Sequence, residues 1–172
     1  FTNHNYIEFM HAIVGLDYDK EKAYVGKFYA TKKEKEWAKK YIKCFGKDKK
    51  VILWTLSGSS WHKQNARVDS VIARLLLQYQ DMHFILTGDV MCKLVEGVSW
   101  NNEPRVHTRS GGKIRRTLAL LEEVDVVIGP ETGVLNAAGG LDTPTILFLS
   151  HSNKYKVSRD WKNTISLEPV DT

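Results

Sequence analysis

From Lys50 onward, short β-type apolar runs alternate with stretches whose apolar residues recur at helical spacing. No other feature narrows the fold as far. Val51–Leu56, His83–Leu86, Val124–Ile128 and Thr145–Leu149 read as strands, with Pro104–His107 and Thr164–Leu167 as weaker candidates. Residues 66–80 carry Val68, Val71, Ile72, Leu75, Leu76 and Tyr79 on one helical face, and further helices are expected over 90–96, 112–123 and 134–138. Parallel neighbours need a crossover between them, so this alternation implies βαβ units. The predicted fold is α/β: a Rossmann-like, doubly wound, mostly parallel six-stranded sheet in the order 3-2-1-4-5-6. In that order the first and fourth strands meet at the switch point, and a ligand binds beyond their carboxyl ends.

The first third reads differently. Tyr6, Phe9, Met10, Ile13 and Val14 predict a short amphipathic helix over 4–14, stopped by Gly15, and residues 17–30 predict an extended linker. Thr31-Lys32-Lys33-Glu34 has the capping-box form, in which hydroxyl and carboxylate each satisfy a free backbone N–H. Trp37, Ala38, Tyr41, Ile42 and Phe45 then line one face of a helix that Gly46 ends. The expected organisation is residues 1–30 as linker and helix, and 31–172 as one sheet domain. The chain opens Phe-Thr-Asn without a Met, and is expected to be a piece of something longer.

Several function classes fall away. Cys44 and Cys92 belong to no CxxC, and the six histidines form no HxxxH or HExxH, so no metal site is expected. The apolar runs fall far short of the roughly 18 residues of a spanning helix, and no charged and then apolar leader opens the chain. The net charge of +5 is not that of a nucleic-acid arm, and no recognition motif accompanies it; nucleic acid is not an expected partner. Residues 17–50 hold twelve Lys against six acids. A solvated face explains this first, and attraction to an anionic membrane surface or a phosphorylated glycolipid acceptor is the sharper reading.

The chemistry concentrates in the loops. After the first strand come Ser57-Gly58-Ser59-Ser60-Trp61-His62-Lys63-Gln64-Asn65: small residues for close approach, hydroxyl and amide donors, and a cation. This inventory suits phosphate, or equally a solvated βα turn. After the fourth strand, Gly129-Pro130-Glu131-Thr132-Gly133 leads into Val134-Leu135-Asn136-Ala137-Ala138. Gly133 is expected to allow a sharp turn, Glu131 to accept sugar or ribose hydroxyls, and Asn136 to offer an amide to the same ligand. Thr87-Gly88-Asp89 ends the second strand, with Asp89 either a helix N-cap or a ribose contact. No GxGxxG follows the first strand and no GxxxxGK[ST] occurs there, which disfavours a redox cofactor and a P-loop. Trp37 reads as core; Trp61 and Trp161, each near a proposed loop, read first as structural, with packing on a base as the alternative.

The run Val124–Ala138, followed by Gly140-Leu141-Asp142-Thr143-Pro144-Thr145, resembles the nucleotide-binding half of the ADP-heptose:lipopolysaccharide heptosyltransferases, GT-B enzymes of glycosyltransferase family 9. Their fourth-strand loop reads Asp-(Ser/Thr)-Gly-x-x-His-x-Ala-Ala; here Glu131 replaces the Asp and Asn136 the His. The Ser57–Ser59 segment with Lys63 looks like their first loop, where a Lys contacts the donor diphosphate. Over residues 50–150 the resemblance implies the carboxyl-terminal, donor-binding half of a GT-B transferase. Such a domain takes a nucleotide diphosphate sugar of the ADP-heptose type through Ser57, Gly58, Ser59, Lys63, Gly88, Asp89, Glu131, Thr132, Gly133 and Asn136. It uses no other cofactor, and passes the sugar to a lipopolysaccharide-core or other glycan acceptor. The acceptor and the catalytic base belong to an amino-terminal domain, so the fragment alone is expected to be inactive, with no catalytic residue of its own. The implied location is cytoplasmic, or peripheral to the inner membrane. A nucleotide-binding module of a degenerate family member, without transferase activity, is the alternative that Glu131 and Asn136 keep open.

Overall fold

The computed structural model describes residues 4–58, 60, 63 and 67–169, apart from the side chains of residues 94, 95, 97 and 98. Its strands are β1 (Lys50–Thr55), β2 (Met82–Thr87), β3 (Val106–Thr108), β4 (Val126–Pro130), β5 (Thr145–Phe148) and β6 (Thr164–Leu167). They form one sheet in the order β3-β2-β1-β4-β5-β6, and every pairing is parallel. The predicted order holds, and "mostly parallel" becomes wholly parallel. The helices are α1 (Tyr6–Val14), α2 (Lys32–Lys43), α3 (Val68–Gln78), α4 (Val90–Ser99), α5 (Ile114–Leu120), α6 (Gly133–Ala138) and α7 (Lys154–Val157).

Strand side chains alternate between faces, so β1 alone shows both layers. Val51 and Leu53 join Ile85, Val127 and Leu147 on the face covered by α2, α5 and α6. Ile52 and Trp54 join Phe84, Leu86 and Ile128 under α3, whose Val68, Ile72 and Leu76 are buried. With two buried faces the strands must be apolar throughout, hence the unbroken runs in the sequence. Each large side chain so buried contributes about 1.5–3 kcal/mol of transfer free energy. Asp125 fixes the start of the pairing: its Oδ2 accepts the Val51 N–H at 2.8 Å and its Oδ1 meets Lys50 Nζ at 3.1 Å.

Three expectations change. Gly129 and Pro130 belong to β4, not to the loop, because β5 continues to pair with them at Leu147 and Phe148. The pairing of β1 with β4 stops at Ile128, so proline's missing N–H costs no bond on that side. The helix expected over 112–123 shortens to α5: Gly111 adopts φ +70° and delays its start, and the cap falls at Leu121. A further turn, α7, forms where Asn153 accepts from the Lys156 N–H at 3.0 Å.

The amino-terminal helix forms as expected and residues 17–30 hold no helix or strand, but the apolar face of α1 stays open, with Tyr6, Phe9, Met10, Ile13 and Val14 all exposed. Its anchor is polar: buried Asn5 caps it and donates to the Tyr155 carbonyl at 3.1 Å. The linker runs against α6 backbone to backbone. A Cβ on Gly140 would lie 1.8 Å from the Gly26 carbonyl oxygen, so only glycine allows this crossing.

The capping box on α2 is present, and Glu34 does more than cap. Arg115 Nε donates to its Oε1 at 2.6 Å and Arg115 Nη2 to its Oε2 at 2.8 Å. That hydrogen-bonded guanidinium, first among several causes, holds the Glu34 carboxyl down at about 2, against an ordinary 4.5. A depressed carboxyl adds stability above its unfolded value and loses it as pH falls through the folded one. Unfolding midpoints should therefore drop between pH 4.5 and pH 2, and Glu34→Gln should flatten that part of the profile. An unchanged acid limb in Glu34→Gln would remove this contribution.

Candidate functional site

Because all strands are parallel, their carboxyl ends open onto one rim, and a cavity of about 790 Å³ occupies it at β1, β2, β3 and β4. Ser57, Gly58, Lys63, Gly88, Asp89, Glu131, Thr132, Gly133 and Asn136 all line it. The topology thus brings together sequence-predicted residues from three separate loops. Ser59 lies outside the described residues, as do Trp61, His62, Gln64 and Asn65. On the cavity floor Thr55 and Thr87, at the ends of β1 and β2, bring their hydroxyls within 3.3 Å.

Lys63 and Glu131 are partners. Lys63 Nζ donates to the Glu131 carbonyl at 3.0 Å and lies 3.9 Å from Glu131 Oε2. Both side chains are largely sheltered, at 19% and 14% exposure. Glu131 Oε1 accepts the Ser150 N–H at 3.0 Å, which fixes the carboxylate from the β5 side. The expected sugar acceptor is therefore already oriented, with a cation beside it. Thr132 caps α6 by accepting the Leu135 N–H at 3.4 Å. Gly133 makes no sharp turn: it has no positive φ, and a Cβ there would meet nothing within 4 Å. What its missing side chain provides is open space in the cavity, directly before the first turn of α6.

Asp89 is the N-cap of α4, as the more ordinary reading had it, with Oδ1 accepting the Cys92 N–H at 3.0 Å. That bond lowers its carboxyl below the usual range, so Asp89 is an anion on the cavity wall. Gly88 beside it is obligatory, since a Cβ would lie 2.6 Å from Cys92 Sγ. Cys92 in turn meets Ser57 Oγ at 2.9 Å, tying the β1 loop to α4, and burial pushes its thiol up.

Sequence reasoning missed two residues. Glu96 is 2% exposed, accepts from Ser110 Oγ, and is pushed above its ordinary value by burial; its other oxygen meets no partner among the described residues. It links α4 to the loop after β3. Arg109, also on that loop, lines the cavity and lies over the rings of Trp37 and Tyr41, at 5.2 and 4.8 Å from their centroids. The sequence signal for Arg109 is Arg109-Ser110-Gly111-Gly112 directly after a weakly patterned strand. Trp37 packs on the α2 side of the core, and buried Trp161 covers Gly139, so both are structural as expected. Among the described residues no cluster could hold a metal ion, and no helix is long and apolar enough to cross a membrane.

No protein-family model and no curated protein matches the sequence. Solved structures do match the fold. A glycosyl transferase family 9 protein from Veillonella parvula superposes over 99% of this chain and 51% of its own, with TM-score 0.79 and 12% identity. The ADP-heptose LPS heptosyltransferase II of E. coli superposes over 85% of this chain and 46% of its own, with TM-score 0.66 and 10% identity. The chain thus spans about half the length of either. At such identities the likeness is one of fold: this chain has the Rossmann-like architecture found within GT-B glycosyltransferases.

Proposed function

We propose that this chain is the donor-binding half of a glycosyltransferase and holds a nucleoside diphosphate sugar in the rim cavity. The observation that carries this reading is the convergence of nine predicted site residues on one cavity at the switch point of the sheet. Its volume lies within the range of sites for ligands of this size, about 300–1,000 Å³. Lys63, Ser57 and the amides around Thr132 and Gly133 face the diphosphate. Glu131 and Asn136 accept from and donate to sugar hydroxyls, and the nucleoside lies toward β2 and β3. As the glycosidic bond breaks, charge grows on the departing diphosphate, and donors fixed there beforehand stabilise it. On this reading residues 1–30 form the interdomain connection and residues 31–172 the donor domain. The donor is heptose-like, and a lipopolysaccharide-core or other glycan acceptor is held by an amino-terminal domain. The protein works in the cytoplasm, at an anionic membrane face that the lysine-rich residues 17–50 attract. The fragment alone transfers no sugar.

The test is calorimetric titration with nucleoside diphosphates, nucleosides and NAD. Nucleoside diphosphates bind, and NAD does not. Gly133→Val fills the open space before α6 and abolishes that binding, while the fold is kept, since a Cβ there meets nothing within 4 Å. Unchanged binding by Gly133→Val would move the ligand elsewhere. A second reading, a binding module without transferase activity, draws on Glu131, whose carboxylate already serves Ser150 and Lys63. Sugar transfer by the chain rejoined to an acceptor domain would exclude it.

A further inference from the structure

The cavity has a cation that the proposed diphosphate site does not use. Lys63 stands beside Glu131, whereas the Arg109 guanidinium donates no hydrogen bond and joins no ion pair among the described residues. Arg116 lies over the same Trp37 ring, at 5.0 Å, but does not line the cavity, and three other arginines are paired. Arg105 pairs with Glu103, Arg115 with Glu34, and Arg159 with Glu8 and Asp160. Arg109 instead lies over the stacked rings of Trp37 and Tyr41, themselves 5.5 Å apart at 17°. Cation–π contact restrains the guanidinium without satisfying its N–H donors, which lie at its edges. Arg109 is partly buried in the cavity lining, where its N–H donors are free to meet a ligand.

The loop after β3 is two strand spacings from β1 and three from β4, or roughly 10–14 Å from the switch point at about 4.8 Å per spacing. A nucleoside diphosphate anchored at the switch point reaches that loop with its base. We infer that Arg109 is a specificity-determining residue that reads the base of the donor nucleotide and selects guanine over the adenine that the sequence resemblance implies. The inference rests on the donor-binding reading above. A planar fork of donors pairs with two adjacent acceptors, and guanine offers them as O6 and N7. Adenine sets an amino donor beside its N7, which faces the same fork donor to donor. Uracil carries its two carbonyls on either side of an N–H, so the fork meets one at a time. Trp37 and Tyr41 position Arg109 and do not touch the ligand.

Titration of GDP, UDP and ADP against the chain and two variants tests this. GDP is expected to bind about tenfold or more tighter than ADP, with UDP between them. Arg109→Ala should lose that preference by weakening GDP alone, with ADP affinity unchanged. Arg109→Lys keeps the charge and the ring contact but not the fork, and should lose the preference too. Circular dichroism and the unfolding midpoint of both variants establish that the fold is kept. ADP binding as tightly as GDP, or equal losses for all three nucleotides in Arg109→Ala, overturns the role of Arg109 and leaves the donor site standing. Failure of every nucleoside diphosphate to bind overturns both.

Discussion

Lys63→Ala is expected to lower nucleoside diphosphate affinity by more than about tenfold, since a charge-assisted contact to phosphate contributes roughly 1.5–3 kcal/mol. The structure adds a second reason for a large effect. Glu131 Oε2 lies 3.9 Å from Lys63 Nζ, so removing the lysine leaves a sheltered carboxylate facing the incoming phosphates without its neutralising partner. Lys63→Ala/Glu131→Gln should therefore recover part of the lost affinity, and the double-mutant cycle should show a favourable coupling between the two positions. The free nucleoside, which brings no phosphate, should bind all variants alike. Lys63 is no freely solvated loop lysine, because its ammonium also holds the Glu131 carbonyl at 3.0 Å; its loss should cost about 1 kcal/mol of stability. Equal affinity of parent and Lys63→Ala for the diphosphate would sink the assignment of this loop to phosphate.

Gly140→Ala is expected to be the most destabilising small change in the chain. The added carbon would lie 1.8 Å from the Gly26 carbonyl oxygen and 3.0 Å from the carbonyl carbon, and no rotamer relieves a clash between two backbones. Either the linker lifts from α6 or the helix shifts against the sheet. The cost is about 3 kcal/mol, roughly 6–12 °C in Tm for a chain of this size. Trypsin should then cut sooner at Lys20, Lys22 and Lys27, on the segment that lost its seat. Gly133→Ala is the internal control, since nothing lies within 4 Å of its added carbon. If the two alanine variants unfold together, the crossing of linker and α6 is looser than described.

The sheet was legible because the middles of β1, β2 and β4 are buried on both faces and are apolar there, a pattern that survives without knowledge of neighbours. The capping box was legible because Thr31 and Glu34 satisfy each other locally. What escaped depends on partners distant in sequence. Gly129 and Pro130 become strand only because β5 lies alongside them, 18 residues downstream at Leu147 and Phe148. The pairing of Lys63 with Glu131 spans 68 residues, and spacing holds no trace of it. Arg109 owes its place to two rings on a helix that precedes the sheet, and Glu96 its burial to a loop it never touches in sequence. Nine of the ten predicted site residues converge because the strand order alone decides which loops share a rim.

The uniform direction of the strands has a consequence for how such a protein can change over generations. The cavity lining sits at and past the carboxyl ends of β1 to β4, while the two apolar clusters that hold the sheet lie on its faces. Inheritance can therefore act on the two sets separately. Interior positions can vary among residues of similar bulk, consistent with a shared architecture at 12% identity, and a handful of rim substitutions can exchange one ligand for another without renegotiating the core.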